Sequence, residues 1–281
     1  VQSFSAEEVN LGDRNLLVSA RSTEGGGAVV TFVDVTEIRR LETVRRDFVA
    51  NASHELKTPL TAIRGFAETL IDDDLPDELR KQWLDSIRTN TLRLQRLVDD
   101  LLDLSRLESG GWQARTERVE LEDLFQDLAA HFEETAQRRG VALATAGAAS
   151  VLGDAHGLEQ VLRNLVENAF RYTPRGGKIL VGVEVGEDDA TVSVRDTGTG
   201  IPTSALPRIF ERFFRVDPAR SREDGGTGLG LAIVRHLVHS MGGEVWAESE
   251  LGQGTAILFS IPLAKQGSGR GAGPEGSGGG G

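Results

Sequence analysis

The residues of this sequence that could do chemistry fall into two groups far apart along the chain. The first group is His54, Glu55 and Thr58, within a segment that reads FVANASHELKTPL at positions 48–60. A neutral imidazole is a nucleophile near pH 7, and an adjacent carboxylate can orient the ring and take up its proton. A lone histidine on a helix is more often a solvated surface residue, so the meaning of this group depends on the second.

A long helix is predicted to carry His54. Apolar residues recur there in steps of three and four, the pattern of one buried face; they are Leu41, Val44, Phe48, Ala52, Leu56, Leu60, Ile63, Ala67 and Leu70. At about 100° per residue, His54 lies roughly 200° from Leu56, so its imidazole faces solvent on the same side as Thr58. Pro59 is expected to kink the helix just after the histidine, because proline lacks the N–H that a helix needs.

The second group begins with two amide side chains one helical turn apart. Asn164 and Asn168 lie in NLVENAFRY at 164–172, with Glu167 beside them. Residues four apart share a helix face, and amide and carboxylate oxygens suit a hard, partly hydrated Mg²⁺ ion that bridges phosphates. The segment therefore predicts a site for magnesium and phosphate.

Two glycine-containing segments fit the other parts of a nucleotide. Asp196 ends an apolar strand, where its carboxylate can accept a hydrogen bond from the exocyclic amine of adenine. Gly198 and Gly200, just before Ile201, would let the backbone approach the adenine ring and turn sharply. The turn GTGLGL at 226–231 opens a helix and would offer backbone amides to phosphate. Of these residues, Asp196 would select ATP over GTP.

The two groups together resemble one protein family. SHELKTPL at 53–60 resembles the phosphoacceptor box of bacterial sensor histidine kinases, and the later segments resemble that family's nucleotide boxes in the same order. The resemblance covers about residues 36 to 264 and points to the phosphate-sensor-like subgroup. It implies Mg²⁺-dependent transfer of the γ-phosphoryl group of ATP to His54, and then to an aspartate of a response regulator receiver domain. It also implies that Thr58 positions a water against the regulator's phosphoaspartate, which would make the chain a phosphatase as well.

The same resemblance gives the nucleotide-box residues their expected roles. Asn168 is the principal metal ligand, Asn164 supports it, and Arg171 and Tyr172 contact phosphate and nucleotide. Arg215, in RIFERFFRV at 208–216, is the candidate for touching the γ-phosphate, and the polar segment 217–226 is the expected lid. The other expected nucleotide contacts are Asp196, Gly198, Gly200, Ile201, Gly226, Thr227, Gly228, Leu229, Gly230 and Thr255.

Four segments are expected along this multidomain chain. Residues 1–36 hold two strand-like runs, which form either the end of a PAS-like sensor domain or an unrelated hairpin. Residues 37–109 form two long antiparallel helices, whose apolar faces are most simply buried in a homodimeric four-helix bundle. Residues 110–264 form an α+β ATP-binding domain, which the resemblance identifies as the GHKL type, and residues 265–281 form a disordered Gly/Ser-rich tail.

Composition excludes several classes of function. The net charge of −12 is too acidic for a nucleic-acid binder that works by phosphate neutralisation. The absence of cysteine excludes disulfides and thiol chemistry. The sequence has no apolar run of about 18 residues and is expected to be soluble as written. Because it begins at Val1 rather than at methionine, we expect a cytoplasmic fragment, and the longer protein could be membrane-anchored upstream.

Two other functional classes fit part of the pattern. A GHKL ATPase or serine-type protein kinase would share the nucleotide boxes but would lack the helical SHELKTPL box. A non-catalytic dimeric scaffold gated by nucleotide would bind ATP without transferring phosphate. The acid lability of any phosphoryl label distinguishes the first class from a histidine kinase, and label transfer itself distinguishes the second.

Overall fold

The computed structural model describes residues 6–23, 25, 27–72, 75–217 and 226–264. The contacts divide the chain into two compact units, residues 1–97 and 98–281. The predicted tail and most of the predicted lid, residues 218–225, lie outside the described residues. Among the residues that are described, no helix has both the length and the apolar character that a membrane span requires.

The first unit opens with a small antiparallel sheet in the order β1-β2-β3. The strands are β1 (Glu7–Leu11), β2 (Arg14–Ser22) and β3 (Ala28–Asp34). The two predicted strand-like runs are β2 and β3, which pair with each other, whereas β1 was not predicted. Phe32 and Val33, on opposite faces of β3, are both exposed, so this sheet buries little apolar surface within the described chain.

Two long helices form the predicted helical hairpin. They are α1 (Thr36–Asp72) and α2 (Asp77–Glu108), and Pro59 lies inside α1 without ending it. Several residues of the predicted buried face remain exposed, among them Leu41 at 65% and Leu60 at 58%. The described residues of the first unit contribute two helices, α1 and α2, to the predicted four-helix bundle. Two helices of one chain are too few to cover these apolar side chains.

The second unit is an α+β layer, as predicted. After the last turns of α2 come β4 (Glu117–Glu120), α3 (Leu121–Arg139), β5 (Ala142–Ala146), β6 (Ser150–Gly153), α4 (Ala155–Tyr172), β7 (Lys178–Val185) and β8 (Asp189–Asp196). A short 3₁₀ helix (Leu206–Arg208), α5 (Gly230–Ser240), β9 (Val245–Glu250) and β10 (Gly254–Pro262) complete it.

Five strands of this unit form one mixed sheet in the order β5-β7-β8-β10-β9, while β4 and β6 form a separate pair. The β5–β7 pair is parallel and the other pairs are antiparallel. Alternate residues of β8, namely Ala190, Val192 and Val194, are buried, as a strand with one face on a core requires. The apolar sides of α3, α4 and α5 supply the rest of that core.

Candidate phosphoacceptor and nucleotide sites

His54 lies on the exposed side of α1, as the helical pattern predicted. Thr58 is also exposed, and its hydroxyl donates a hydrogen bond of 3.1 Å to the backbone carbonyl of His54 one turn earlier. Such back-bonding is common for threonine in helices and holds the hydroxyl close to the helix axis. The imidazole and the threonine therefore share one face of α1.

Glu55 is held by an ion pair that the sequence analysis missed. The Nη2 atom of Arg93, on α2, lies 3.1 Å from Oε2 of Glu55, and the two side chains are only 10% and 25% exposed. A largely desolvated guanidinium-carboxylate pair fixes both side chains more firmly than a surface pair would. Glu55 is thus fixed against α2 while its neighbour His54 faces outward.

The helix α4 carries the two predicted asparagines on its partly exposed side. Buried residues such as Leu165 and Phe170 hold its other side in the core. The Nη1 atom of Arg171 donates a 3.0 Å hydrogen bond to Oδ1 of Asn168. A metal ion bound through that oxygen would have to share it with Arg171 or displace the guanidinium.

The glycine turn at 226–230 lies directly against α4. A Cβ added to Gly226 would be 3.2 Å from Nη1 of Arg171, and one added to Gly230 would be 3.2 Å from Oδ1 of Asn164. The turn leads into α5, which begins at Gly230. The two amides of α4 and the amino end of α5 are therefore parts of the same surface.

The aromatic segment before the lid is tied to this turn by backbone contacts. The amide of Phe213 donates a 2.8 Å hydrogen bond to the carbonyl of Gly228. Gly228 has a φ of +74° and Phe213 has a φ of +61°, so both residues adopt the left-handed conformation that non-glycine residues rarely take. Arg215 donates from Nη2 to the carbonyl of Gly226. The residue predicted to contact the γ-phosphate is therefore bound to the glycine turn in this structure.

Asp196 lies at the end of β8 and is partly buried. Its Oδ1 accepts a 2.7 Å hydrogen bond from the amide of Gly198, and the amide of Thr255 on β10 is a second donor. Burial raises the pKa of the Asp196 carboxyl, and these two backbone hydrogen bonds oppose the shift. The carboxylate is therefore oriented by the backbone and poorly solvated, which suits selective recognition of a hydrogen-bond donor.

At both glycines after Asp196 the backbone passes close to a neighbouring segment, and the predicted approach to an adenine ring stays a prediction. A Cβ on Gly198 would overlap the carbonyl oxygen of Tyr172, the last residue of α4. Gly200 has a φ of +69°, and a Cβ there would overlap the carbonyl of Glu250. Any larger residue at either position would push the segment away from its neighbours.

Ile201 and Thr255 are joined through one serine. The amide of Ile201 donates a 2.8 Å hydrogen bond to Oγ of Ser249, and that oxygen lies 2.9 Å from Oγ1 of Thr255. The end of the Asp196 segment is thereby fastened to β9 and β10. The structure thus brings the second group of predicted residues together within the second unit, while His54, Glu55 and Thr58 belong to the first unit.

The glycine turn also makes a polar contact that was not predicted from the sequence. The hydroxyl of Thr227 donates a 2.6 Å hydrogen bond to Oδ2 of Asp100 on α2. The two residues are 127 positions apart. No local motif could have indicated this pair.

Two family models match this chain. Residues 44–110 match the His Kinase A (phospho-acceptor) domain, and residues 153–265 match the histidine kinase-, DNA gyrase B- and HSP90-like ATPase domain. The sensor histidine kinase WalK of Bacillus subtilis (strain 168) is 36% identical over 245 residues, which are 85% of this chain and 40% of WalK. The chain therefore spans less than half the length of that relative.

Two solved structures resemble the fold over much of the chain. The histidine kinase ThkA, crystallised in complex with the response regulator protein TrrA, matches with a TM-score of 0.64 and 25% identity, over 94% of this chain and 79% of ThkA. Full-length ShkA in complex with AMPPNP matches with a TM-score of 0.57 and 32% identity, over 78% of this chain and 46% of ShkA. The phosphate-sensor-like subgroup remains a prediction. With a phosphoacceptor domain and the matching ATPase domain in sequence and in fold, the chain belongs to the sensor histidine kinase family.

Proposed function

We propose that the protein is an ATP-dependent kinase that phosphorylates His54 and passes the phosphoryl group to a response regulator. The observation that carries the proposal is the assembly of Asn164, Asn168 and the glycine turn on one surface, with the segment after Asp196 packed against the last residue of α4. In the same chain His54, the residue that corresponds to the phosphoacceptor histidine, is exposed on α1. ATP recognition is supported by the Asp196 carboxylate, which is oriented by backbone donors. The matched ATPase family and the AMPPNP complex of ShkA also support it.

The transfer uses His54 as the nucleophile. A ring nitrogen of neutral His54 attacks the γ-phosphorus, an N–P bond forms, and the bond between that phosphorus and the bridging oxygen breaks, leaving ADP. Glu55 accepts the proton released from the other ring nitrogen, for which its carboxylate must turn from Arg93 toward His54. The exposure of His54 on α1 leaves room both for this approach and for that of a receiver domain, where the phosphoryl group passes from nitrogen to an aspartate oxygen.

We further propose that Mg²⁺ accompanies ATP. Among the described residues, no cluster of three or more His, Asp and Glu side chains could hold a metal ion. The fitting donors are the amide oxygens of Asn168 and Asn164, with Glu167 nearby on α4. Neutral amides bind Mg²⁺ only weakly unless phosphates supply negative charge. When bound, the ion would offset charge on the transferring phosphoryl group, and Arg215 is placed by its contact with Gly226 to add a cation at the same turn.

The test of the kinase is incubation of the purified chain with γ-labelled ATP and Mg²⁺. We expect an acid-labile, alkali-stable label that His54→Gln abolishes. His156→Gln is the matched control, because His156 is also exposed on a helix and should keep full labelling. Acid-stable label would favour the serine-type alternative, and ATP binding without label would favour the scaffold.

The proposal includes a homodimer, a response regulator as partner, and phosphatase activity toward that regulator. The chain forms a homodimer through α1 and α2, the region of the phospho-acceptor domain match. Its partner is the receiver domain of a response regulator, and the complex of ThkA with the response regulator TrrA supports this for a similar protein. Thr58 positions water for dephosphorylation of the regulator. Thr58→Ala should therefore lose phosphatase activity on phosphorylated regulator while keeping autophosphorylation, and full phosphatase activity in that variant would contradict this role.

We also propose where in the cell the catalytic units act and which domains the segments of the chain form. The ATP and the response regulator that the proposed reaction needs support a cytoplasmic location for the catalytic units, and membrane anchoring of a longer protein stays a prediction. Residues 1–36 are the end of a PAS-like sensor domain, residues 37–109 the phosphotransfer hairpin and residues 110–264 the ATP-binding domain. The three-stranded sheet is compatible with this assignment, which a sequence of the complete protein would test.

A further inference from the structure

The last turns of α2 carry a carboxylate that the proposed mechanism does not use. Oδ2 of Asp100 accepts a 2.6 Å hydrogen bond from the hydroxyl of Thr227, in the middle of the glycine turn. Oγ1 of Thr227 in turn accepts a 3.2 Å hydrogen bond from the amide of Leu229. Asp100, Thr227 and the start of α5 therefore form one continuous hydrogen-bonded chain.

The end of α2 is fixed around Asp100 by contacts with three other segments of the second unit. These contacts are Gln160 Nε2 to Asp103 Oδ2 at 2.7 Å, His236 Nε2 to the carbonyl of Leu107 at 2.8 Å, and Arg212 Nη2 to Glu108 Oε1 at 2.6 Å. Leu104 and Leu107 are buried on the same stretch of helix. The Asp100 carboxylate is thus presented to the glycine turn by a well-anchored helix.

We propose that Asp100 is a positioning residue for nucleotide binding, which acts by fixing the direction of the Thr227 hydroxyl. A hydroxyl has one donor and two acceptor sites, whereas an ionised carboxylate can only accept. Ionised Asp100 therefore accepts the hydrogen bond from the Thr227 hydroxyl, and an oxygen lone pair of Thr227 stays available to the Leu229 amide. That bond closes the turn in front of α5, so that the first amides of the helix point together toward phosphate. The role rests on the proposed ATP-binding function.

The surroundings of Asp100 make this contact sensitive to pH. Burial raises the pKa of the Asp100 carboxyl to about 6; the Thr227 hydrogen bond and Arg171 oppose the shift, and Glu167 and Asp103 add to it. Protonated Asp100 can donate to Thr227 and reverse the direction of the hydroxyl. The order of the turn, and with it nucleotide affinity, should decrease as pH falls through about 6.

The same shift has the opposite effect on folding. A carboxyl whose pKa is higher in the folded state than in the unfolded state disfavours folding when it is ionised. This cost is fully present above pH 6 and disappears as pH falls toward 3.8, the ordinary pKa of an aspartate carboxyl. Between pH 7 and pH 5, the contribution of Asp100 to nucleotide affinity and its contribution to stability should therefore change in opposite directions, which a purely structural role does not predict.

The experiment is titration of the full chain with AMPPNP and Mg²⁺ at pH 7.5. Asp100→Ala removes the acceptor and should weaken binding by about tenfold, the effect of one charge-assisted hydrogen bond. Asp100→Asn has one acceptor and one donor group, like the protonated carboxyl, and should bind with an affinity between those of the original chain and Asp100→Ala. Asp99→Asn removes a neighbouring exposed carboxylate and is the matched control, with no expected change.

A double-mutant cycle with Thr227→Val tests whether the two residues act as a unit. Once Thr227 has lost its hydroxyl, Asp100→Ala should weaken binding no further. In the pH arm, the original chain should lose more affinity than Asp100→Asn between pH 7 and pH 5.5, because asparagine does not titrate. Thermal unfolding of each variant shows that it folds.

The failures of the two proposals are distinguishable. If the original chain binds AMPPNP and Asp100→Ala binds it as tightly as Asp99→Asn, the positioning role is wrong and the kinase proposal stands. Additive losses in the cycle would also overturn the positioning role. If the original chain does not bind AMPPNP at all, the proposed function itself is wrong, and the role of Asp100 with it.

Discussion

At the scale of single residues, Asp196 is the side chain on which base selection should depend. Its carboxylate is held by backbone donors and desolvated, so replacing it leaves no other acceptor in the same orientation. Asp196→Asn should weaken AMPPNP binding by about tenfold or more. The NH₂ group of asparagine and the amine of adenine are both donors, so the hydrogen bond between them would be lost. Isothermal titration measures this loss. Asp189→Asn, at the exposed opposite end of β8, is the control, and equal affinities for the two variants would contradict the role.

The residues that could be predicted from sequence are those whose chemistry is contained in a short segment. His54 with Thr58, Asn164 with Asn168, and Asp196 with its glycines each form a local pattern, and the structure gives them the exposure or proximity that the patterns required. Arg93 and Asp100 could not be found in this way. Their partners are 38 and 127 positions away, and an arginine or aspartate on an amphipathic helix is otherwise an ordinary surface residue.

At the scale of elements, the position of the nucleotide site depends on how α4 begins. Asp154, the N-cap, is only 7% exposed; its Oδ1 accepts from the amide of Gly157 at 2.8 Å and its Oδ2 from the amide of Arg115 at 2.9 Å. Asp154→Ala should lower the free energy of unfolding by about 2 kcal/mol, because two backbone amides lose their acceptor. Urea unfolding measures this. Asp123→Ala, at an exposed position in the first turn of α3, should change it by less than about 0.5 kcal/mol.

The elements most easily predicted were those with a strong apolar period. The two long helices predicted within residues 37–109 are α1 and α2, and the helix expected to carry Asn164 and Asn168 is α4. The strands β1 and β4 were missed because Glu7–Leu11 and Glu117–Glu120 are short and rich in charge. Their pairing with β2 and β6, rather than their own side chains, makes them strands.

At the scale of the whole molecule, the exposed apolar side chains of α1 and α2 predict self-association. Leu41 and Leu60 belong to the predicted buried face yet remain more than half exposed in one chain. The double variant Leu41→Glu with Leu60→Glu should convert a dimer into a monomer, because burying two carboxylates in an apolar seam is costly. Light scattering after gel filtration measures the mass. Thr89→Glu adds charge at an exposed polar position and should remain dimeric; a dimeric double variant would place the interface elsewhere.

The strand order of the second unit has a consequence for synthesis. β10 is the last strand among the described residues, yet it lies inside the sheet, between β8 and β9, and it carries the Thr255 amide that binds Asp196. When the chain has left the ribosome only as far as β9, one edge of β8 therefore has no strand to pair with. Such a chain would present an unpaired strand edge, which favours aggregation, and its Asp196 carboxylate would not yet be oriented. Competence to bind nucleotide should accordingly arise late and abruptly, when residues 254–262 leave the exit tunnel, and a message truncated before them should yield a chain recognised by chaperones and proteases.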